Sequence, residues 1–199
     1  MSTTVGIFVF PDVEVLDFAG PYEVFTTASR VFKRAKPQAE APFEVFTIGH
    51  RSEPFKARAG LPVLPEFSFE KHPAIDLLIV PGGVVSAELE KPEVIRWIAR
   101  VAARAHLCAS VCTGAFLLAR AGLLDGKRAT THWEDIADLR RDFPQIEVLA
   151  GERWVDEGDV VTSGGISAGI DMSLHLVERL AGRELAVKTA TQMEFRWME

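Results

Sequence analysis

The chain has 199 residues, of which 48% are hydrophobic and 25% charged, and it carries a formal net charge of −6. That size fits one α/β domain over residues 1–199 and buries a core without disulfide or metal staples. The acidic balance, with no Lys/Arg cluster, speaks against a nucleic-acid partner. The opening MSTTVGIFVF has no basic n-region and so does not read as a signal peptide. No apolar stretch nears the roughly 20 residues that cross a bilayer. The expectation is a cytoplasmic protein with no membrane partner. Cys108 and Cys112 stand four apart without nearby His pairs, which is not a zinc signature, and no metal is expected.

In chain order, Val5 to Phe10 is a continuous apolar run of the kind that forms a strand buried on both faces. Gly20-Pro21 reads as the opening of a helix through Val24, Phe25 and Val31. Phe43 to Ile48 is a second strand, and Leu61 to Leu64 a short strand or hairpin arm within a polar, turn-rich region. Asp76 to Val80 is the clearest strand and runs directly into Pro81-Gly82-Gly83. Pro92 to Arg104 has helical periodicity, with proline in the first turn. His106 to Val111 is a strand with Cys112 at its end, followed by a helix over 113–121 that Gly122 stops. Arg128 to Thr131 is a short strand and Glu134 to Phe143 an amphipathic helix. Short strands follow at 148–149, 154–155 and 160–162, then helices near 168–181 and 184–194. Strands alternating with helices predict a mainly parallel sheet covered on both faces.

The segment Ala109-Ser-Val-Cys-Thr-Gly-Ala-Phe116 has the order strand, reactive side chain, small residue, helix. This is the logic of a nucleophile elbow. A helix N-terminus aimed at the sulfur would lower the thiol pKa. The plain alternative is a Cys112 that only packs. Pro81-Gly82-Gly83 could present amides to an oxyanion at the same sheet edge, or be an ordinary glycine loop. Asp17, amid Val15, Leu16 and Phe18, is either a carboxyl with raised pKa or a helix cap. His132, which follows the next strand, is a base or polar contact to the thiol, or a structural residue. Cys108 reads as core, and Trp97, Trp133 and Trp154 as packing.

Five segments in this order, Phe10-Pro-Asp-Val-Glu-Val-Leu-Asp-Phe-Ala-Gly-Pro21, Val80-Pro-Gly-Gly83, Ser110-Val-Cys-Thr-Gly114, Ala129-Thr-Thr-His-Trp133 and Thr162 to Asp171, resemble the DJ-1/PfpI superfamily, also called ThiJ or class I glutamine amidotransferase-like. Within it the chain is most similar to the isonitrile hydratase branch and to the ligand-binding half of AraC-type regulators. The resemblance implies a flavodoxin-like three-layer sandwich, a homodimer and no cofactor. It implies Cys112 and Asp17 as the catalytic pair, with Gly82, Gly83 and Thr113 beside them. His132, Gly20, Gly165 and Ile166 are expected to line the pocket. Thr113 stands where the protease-like branch has histidine, which counts against peptidase activity. With the chain ending at Glu199, no helix-turn-helix half is expected.

The expected function is hydration of an isonitrile to an N-substituted formamide by a cysteine-dependent enzyme. Two alternatives use the same residues. One is a non-enzymatic ligand or redox sensor, and the other a glyoxalase-type enzyme acting on 2-oxoaldehydes through Asp17, Cys112 and His132.

Overall fold

A computed structural model describes residues 2–198. In chain order its first elements are β1 (Thr3–Phe8), α1 (Val15–Ala35), β2 (Phe43–Gly49), β3 (Phe55–Lys56), β4 (Pro62–Val63), β5 (Phe67–Ser68) and β6 (Leu77–Val80). There follow α2 (Ser86–Leu89), α3 (Pro92–Ala102), β7 (Leu107–Val111), α4 (Gly114–Arg120) and β8 (Arg128–Ala129). The chain continues through α5 (Ile136–Asp142), β9 (Glu147–Val148), β10 (Trp154–Asp156), β11 (Val160–Ser163), α6 (Ala168–Ala181) and α7 (Arg183–Gln192).

Seven strands form one sheet in the order β10-β11-β7-β6-β1-β2-β5. Every neighbouring pair is parallel except β10 with β11, which closes one edge as a hairpin. The pairs β3–β4 and β8–β9 stand outside this sheet. Alternation along β1 sends Val5 and Ile7 to one core and Phe8 to the other. The first core is closed by Val24 and Phe25 of α1, Met172 and Leu176 of α6 and Leu185 of α7. The second is closed by Trp97 and Ile98 of α3 and by Leu117 and Leu118 of α4. Helices thus cover both faces, and the flavodoxin-like expectation is met.

The helix expected to open at Gly20-Pro21 begins five residues earlier, at Val15. Gly20 and Pro21 are buried inside it. Pro21 removes only the bond that the Asp17 carbonyl would accept. Packing of Val24, Phe25 and Ala28 fixes the helix across it, so tertiary contacts override the local breaker. Asp17 therefore sits in the first turn of α1, not at its cap.

β1 has β2 on one side and β6 on the other, so the chain reverses direction of travel across the sheet between β1 and β6. Ligands of doubly wound sheets bind outside the carboxyl ends of the strands at such a switch point. The segments following β1, β6, β7 and β11 carry Asp17, Gly82-Gly83, Cys112 and Gly165-Ile166 respectively, all on that edge.

Candidate active site

Cys112 leaves β7 with φ 57°, a left-handed conformation that a residue with a β-carbon seldom adopts. Such a conformation costs on the order of 1–3 kcal/mol and persists only where its surroundings dictate it. Here the Cys112 N–H donates to the carbonyls of Ser163 and Gly164, both at 3.2 Å. Its own carbonyl accepts the Thr131 hydroxyl at 2.8 Å. Clearance comes from two glycines. A β-carbon on Gly114 would lie 2.1 Å from the Val80 carbonyl, and one on Gly82 would lie 2.5 Å from Thr113 Oγ1 and 2.9 Å from Cys112 Cβ. The small residue two positions after the cysteine is therefore a packing necessity.

Asp17 is fully buried. Its Oδ2 accepts the Gly82 amide at 3.1 Å. Its Oδ1 is buried with no well-formed hydrogen bond. The Ile166 amide and the Cys112 thiol approach the carboxyl closely enough to bear on its charge. Burial pushes the Asp17 carboxyl up to about 7, against the pull of the Gly82 amide, and the nearby Glu14 charge adds to the rise. Ile166 holds φ 51°, a second strained, β-branched residue at this site.

The thiol is not lowered as expected. Burial first, and the Asp17 charge second, push Cys112 up to about 12, while the Thr113 amide and hydroxyl act the other way. The expected helix is α4, only seven residues long. The field of so short a helix does not offset a thiol that is 7% exposed and lies beside a carboxyl.

The amides expected to form an oxyanion hole are already engaged. Gly82 N–H goes to Asp17, and Gly83 N–H goes to Thr113 Oγ1 at 2.9 Å. The Thr113 hydroxyl in turn donates to the Gly83 carbonyl at 2.9 Å. Gly83 has φ 128° and bridges to Val13. These residues position the acid and the elbow and do not face an empty acceptor site.

His132 follows Thr131 and packs its ring on Gly165, where a β-carbon would come within 2.0 Å of Cδ2. Its Nδ1 faces Asp135 at 3.4 Å and Glu134 at 3.6 Å. Among the described residues it makes no hydrogen bond to Cys112, and its orienting contacts run to Glu134 and Asp135 in the turn before α5. Gly20, expected to line the pocket, is buried within α1. Its position in α1 packs on α6, where a β-carbon would meet Ile170 Cγ1 at 3.0 Å. Cys108 is core, with burial raising its thiol to about 12. Trp97 packs at 1% exposure, but Trp133, also expected to pack, is 76% exposed.

Thr131 was not singled out from sequence, although its hydroxyl holds the elbow carbonyl. Its adjacency to His132 at a strand end was the available signal. Four exposed apolar side chains also flank site residues in the chain: Leu16, Val84, Trp133 and Ile166.

Among the described residues no group of His, Cys, Asp and Glu is placed to hold a metal ion, and no helix is long and apolar enough to cross a membrane.

Fold and site together define an α/β protein with a cysteine elbow and a partner carboxyl. Residues 3–179 match the DJ-1/PfpI family, and the chain belongs to it. It is 36% identical over 196 residues to isonitrile hydratase of Pseudomonas putida, an alignment covering 98% of this chain and 79% of that protein. It is 37% identical over 130 residues to the HTH-type transcriptional regulator GbdR of Pseudomonas aeruginosa, covering 65% of this chain but only 35% of the regulator. A crystal structure of a ThiJ/PfpI family protein from Pseudomonas syringae superposes with a TM-score of 0.85 at 26% identity, covering 100% of this chain and 77% of that one.

Proposed function

We propose that this chain is a cysteine-dependent hydratase of isonitriles. The observation that carries the reading is the buried Asp17 carboxyl, held near 7 against the thiol of a strained elbow. A group that titrates near neutrality both accepts and returns protons during a reaction. With the thiol protonated at neutral pH, Asp17 is the base that activates it.

The Asp17 carboxylate takes the S–H proton as sulfur attacks the terminal carbon of R–N≡C. It then returns that proton to the same carbon, leaving the thioimidate R–N=CH–S–Cys112. Water adds to this carbon, one of its protons passing to nitrogen through Asp17. The C–S bond then breaks, the hydroxyl proton returns to sulfur, and R–NH–CHO leaves. The net reaction is R–N≡C plus water to the formamide. Gly82 and Thr113 act by holding Asp17 and the elbow in place. The exposed apolar side chains suit an apolar R group.

The similarity to isonitrile hydratase supports this substrate class. The similarity to part of GbdR supports a second reading, ligand sensing without turnover. A glyoxalase role finds less support, because His132 is turned to Asp135. A cytoplasmic homodimer is part of the proposal, and light scattering giving a monomer mass contradicts that part.

The test incubates purified protein with cyclohexyl isocyanide and, separately, methylglyoxal, following products by NMR. Formamide from the wild type and none from Cys112→Ser is expected. No formamide from a panel of isonitriles, or equal amounts from Cys112→Ser, overturns the hydratase reading.

A further inference from the structure

A large cavity lies away from Cys112. It measures about 1100 Å³ and is walled by the segment after β2, by β5 and by α3. Three guanidinium groups line it: Arg51 from the segment after β2, and Arg96 and Arg100 one turn apart on α3. All three are exposed, and among the described residues none makes an ion pair or a side-chain hydrogen bond. Elsewhere the arginines of this chain find carboxylates readily, as Arg30, Arg128, Arg141 and Arg179 do. Three uncommitted arginines gathered on one cavity are therefore available to an anionic ligand.

The frame behind them is firm. Trp97, between the two α3 arginines, stacks on Phe69 with ring centroids 4.1 Å apart and planes 9° off parallel. The Trp97 indole N–H donates to His72 Nε2 at 3.3 Å. The His50 ring also packs on Phe69, with centroids 5.3 Å apart, and is itself exposed to the cavity. The backbone at Gly49 is pressed against Pro65, where a β-carbon would meet Cγ at 2.6 Å, so the turn that carries His50 and Arg51 is fixed. Glu53, Glu70 and Glu93 also line the cavity, and none of them is paired with these arginines. Planar guanidinium forks recognise phosphate oxygens two at a time. Carboxylates nearby accept from hydroxyl groups. The volume suits a whole small molecule, not a lone ion.

We propose that this cavity is a binding site for a hydroxylated organic phosphate of the nucleotide or sugar-phosphate class, distinct from the thiol site and independent of the reaction proposed there. Arg51, Arg96 and Arg100 hold the phosphate, the glutamates accept from sugar hydroxyls, and the exposed face of His50 offers a surface for a ring. Isothermal titration of the full chain with ADP, with ribose 5-phosphate and with sulfate at matched ionic strength tests this. Arg96→Gln combined with Arg100→Gln serves as the variant, since both positions are exposed and glutamine suits a helix. At least one organic phosphate is expected to bind more tightly than sulfate. The double variant is expected to weaken that binding by about tenfold or more while keeping the wild-type melting temperature. Binding of ADP alone assigns a nucleotide, and equal binding of ribose 5-phosphate assigns a sugar phosphate. Absence of binding at millimolar ligand, affinity no better than sulfate, or a double variant that binds as the wild type overturns the proposal.

Discussion

Asp17 and Cys112 hold one another in opposite protonation preferences. Both acids are raised by burial, to about 7 and about 12, so at neutral pH the carboxyl is the group that changes state. A rate that needs the Asp17 carboxylate rises with pH through about 7 and then levels. The pH profile of kcat/KM for isonitrile hydration is expected to show that limb, and Asp17→Asn is expected to lose it together with most of the activity. Gly114 sets a separate constraint at this scale. Its β-carbon would fall 2.1 Å from the Val80 carbonyl, so Gly114→Ala forces α4 off β6. The expected loss is about 3 kcal/mol or more, read by urea unfolding. From the sequence, Cys112, Gly114 and an apolar-flanked Asp17 are all legible because the signal for each lies in its immediate neighbours in the chain. The raised thiol and the engaged Gly82 and Gly83 amides were not. Those depend on which distant groups meet at the sheet edge, and Asp17 and Gly82 are 65 residues apart.

Among the elements, the strands and helices with strong patterns, such as β6, α3 and α6, fall close to where periodicity puts them. α1 does not, because Gly20-Pro21 is a local breaker while the helix is held by long-range packing. If Gly20 serves only the contact of α1 with Ile170, Gly20→Ala gains helix propensity and crowds a movable side chain. Stability is expected to stay within about 1 kcal/mol of the wild type, with Cys112 alkylation by iodoacetamide unchanged. A pocket role for Gly20 would instead alter thiol reactivity. The C-terminal residues are held by a second buried acid. Asp171 of α6 pairs with Arg153 and accepts the Met198 amide at 2.7 Å. Asp171→Ala leaves that amide and the arginine without their partner, and a loss of about 3 kcal/mol is expected in chemical unfolding. No local pattern signals this contact, since Arg153 and Met198 lie 18 and 27 residues from Asp171 in the chain.

For the whole molecule, the buried acid at the switch point works against stability. Asp17 is near 3.8 when unfolded and about 7 when folded, so the native state binds the extra proton between those values. Stability therefore falls as pH rises from about 4 to 7. At about 1.4 kcal/mol per pH unit the full cost is of order 4 kcal/mol. Thermal unfolding across that range is expected to show Asp17→Asn gaining on the wild type as pH rises. A fold that keeps such a group keeps it for chemistry, which is the central claim about Cys112 and Asp17. Its most direct measurement is rapid quenching of the protein with excess isonitrile, followed by peptide mass spectrometry. A mass gain equal to one isonitrile on the peptide carrying Cys112, appearing before formamide and absent in Cys112→Ser, is the predicted result. Formamide accumulating with no such adduct, or at the wild-type rate in Cys112→Ser, would contradict it.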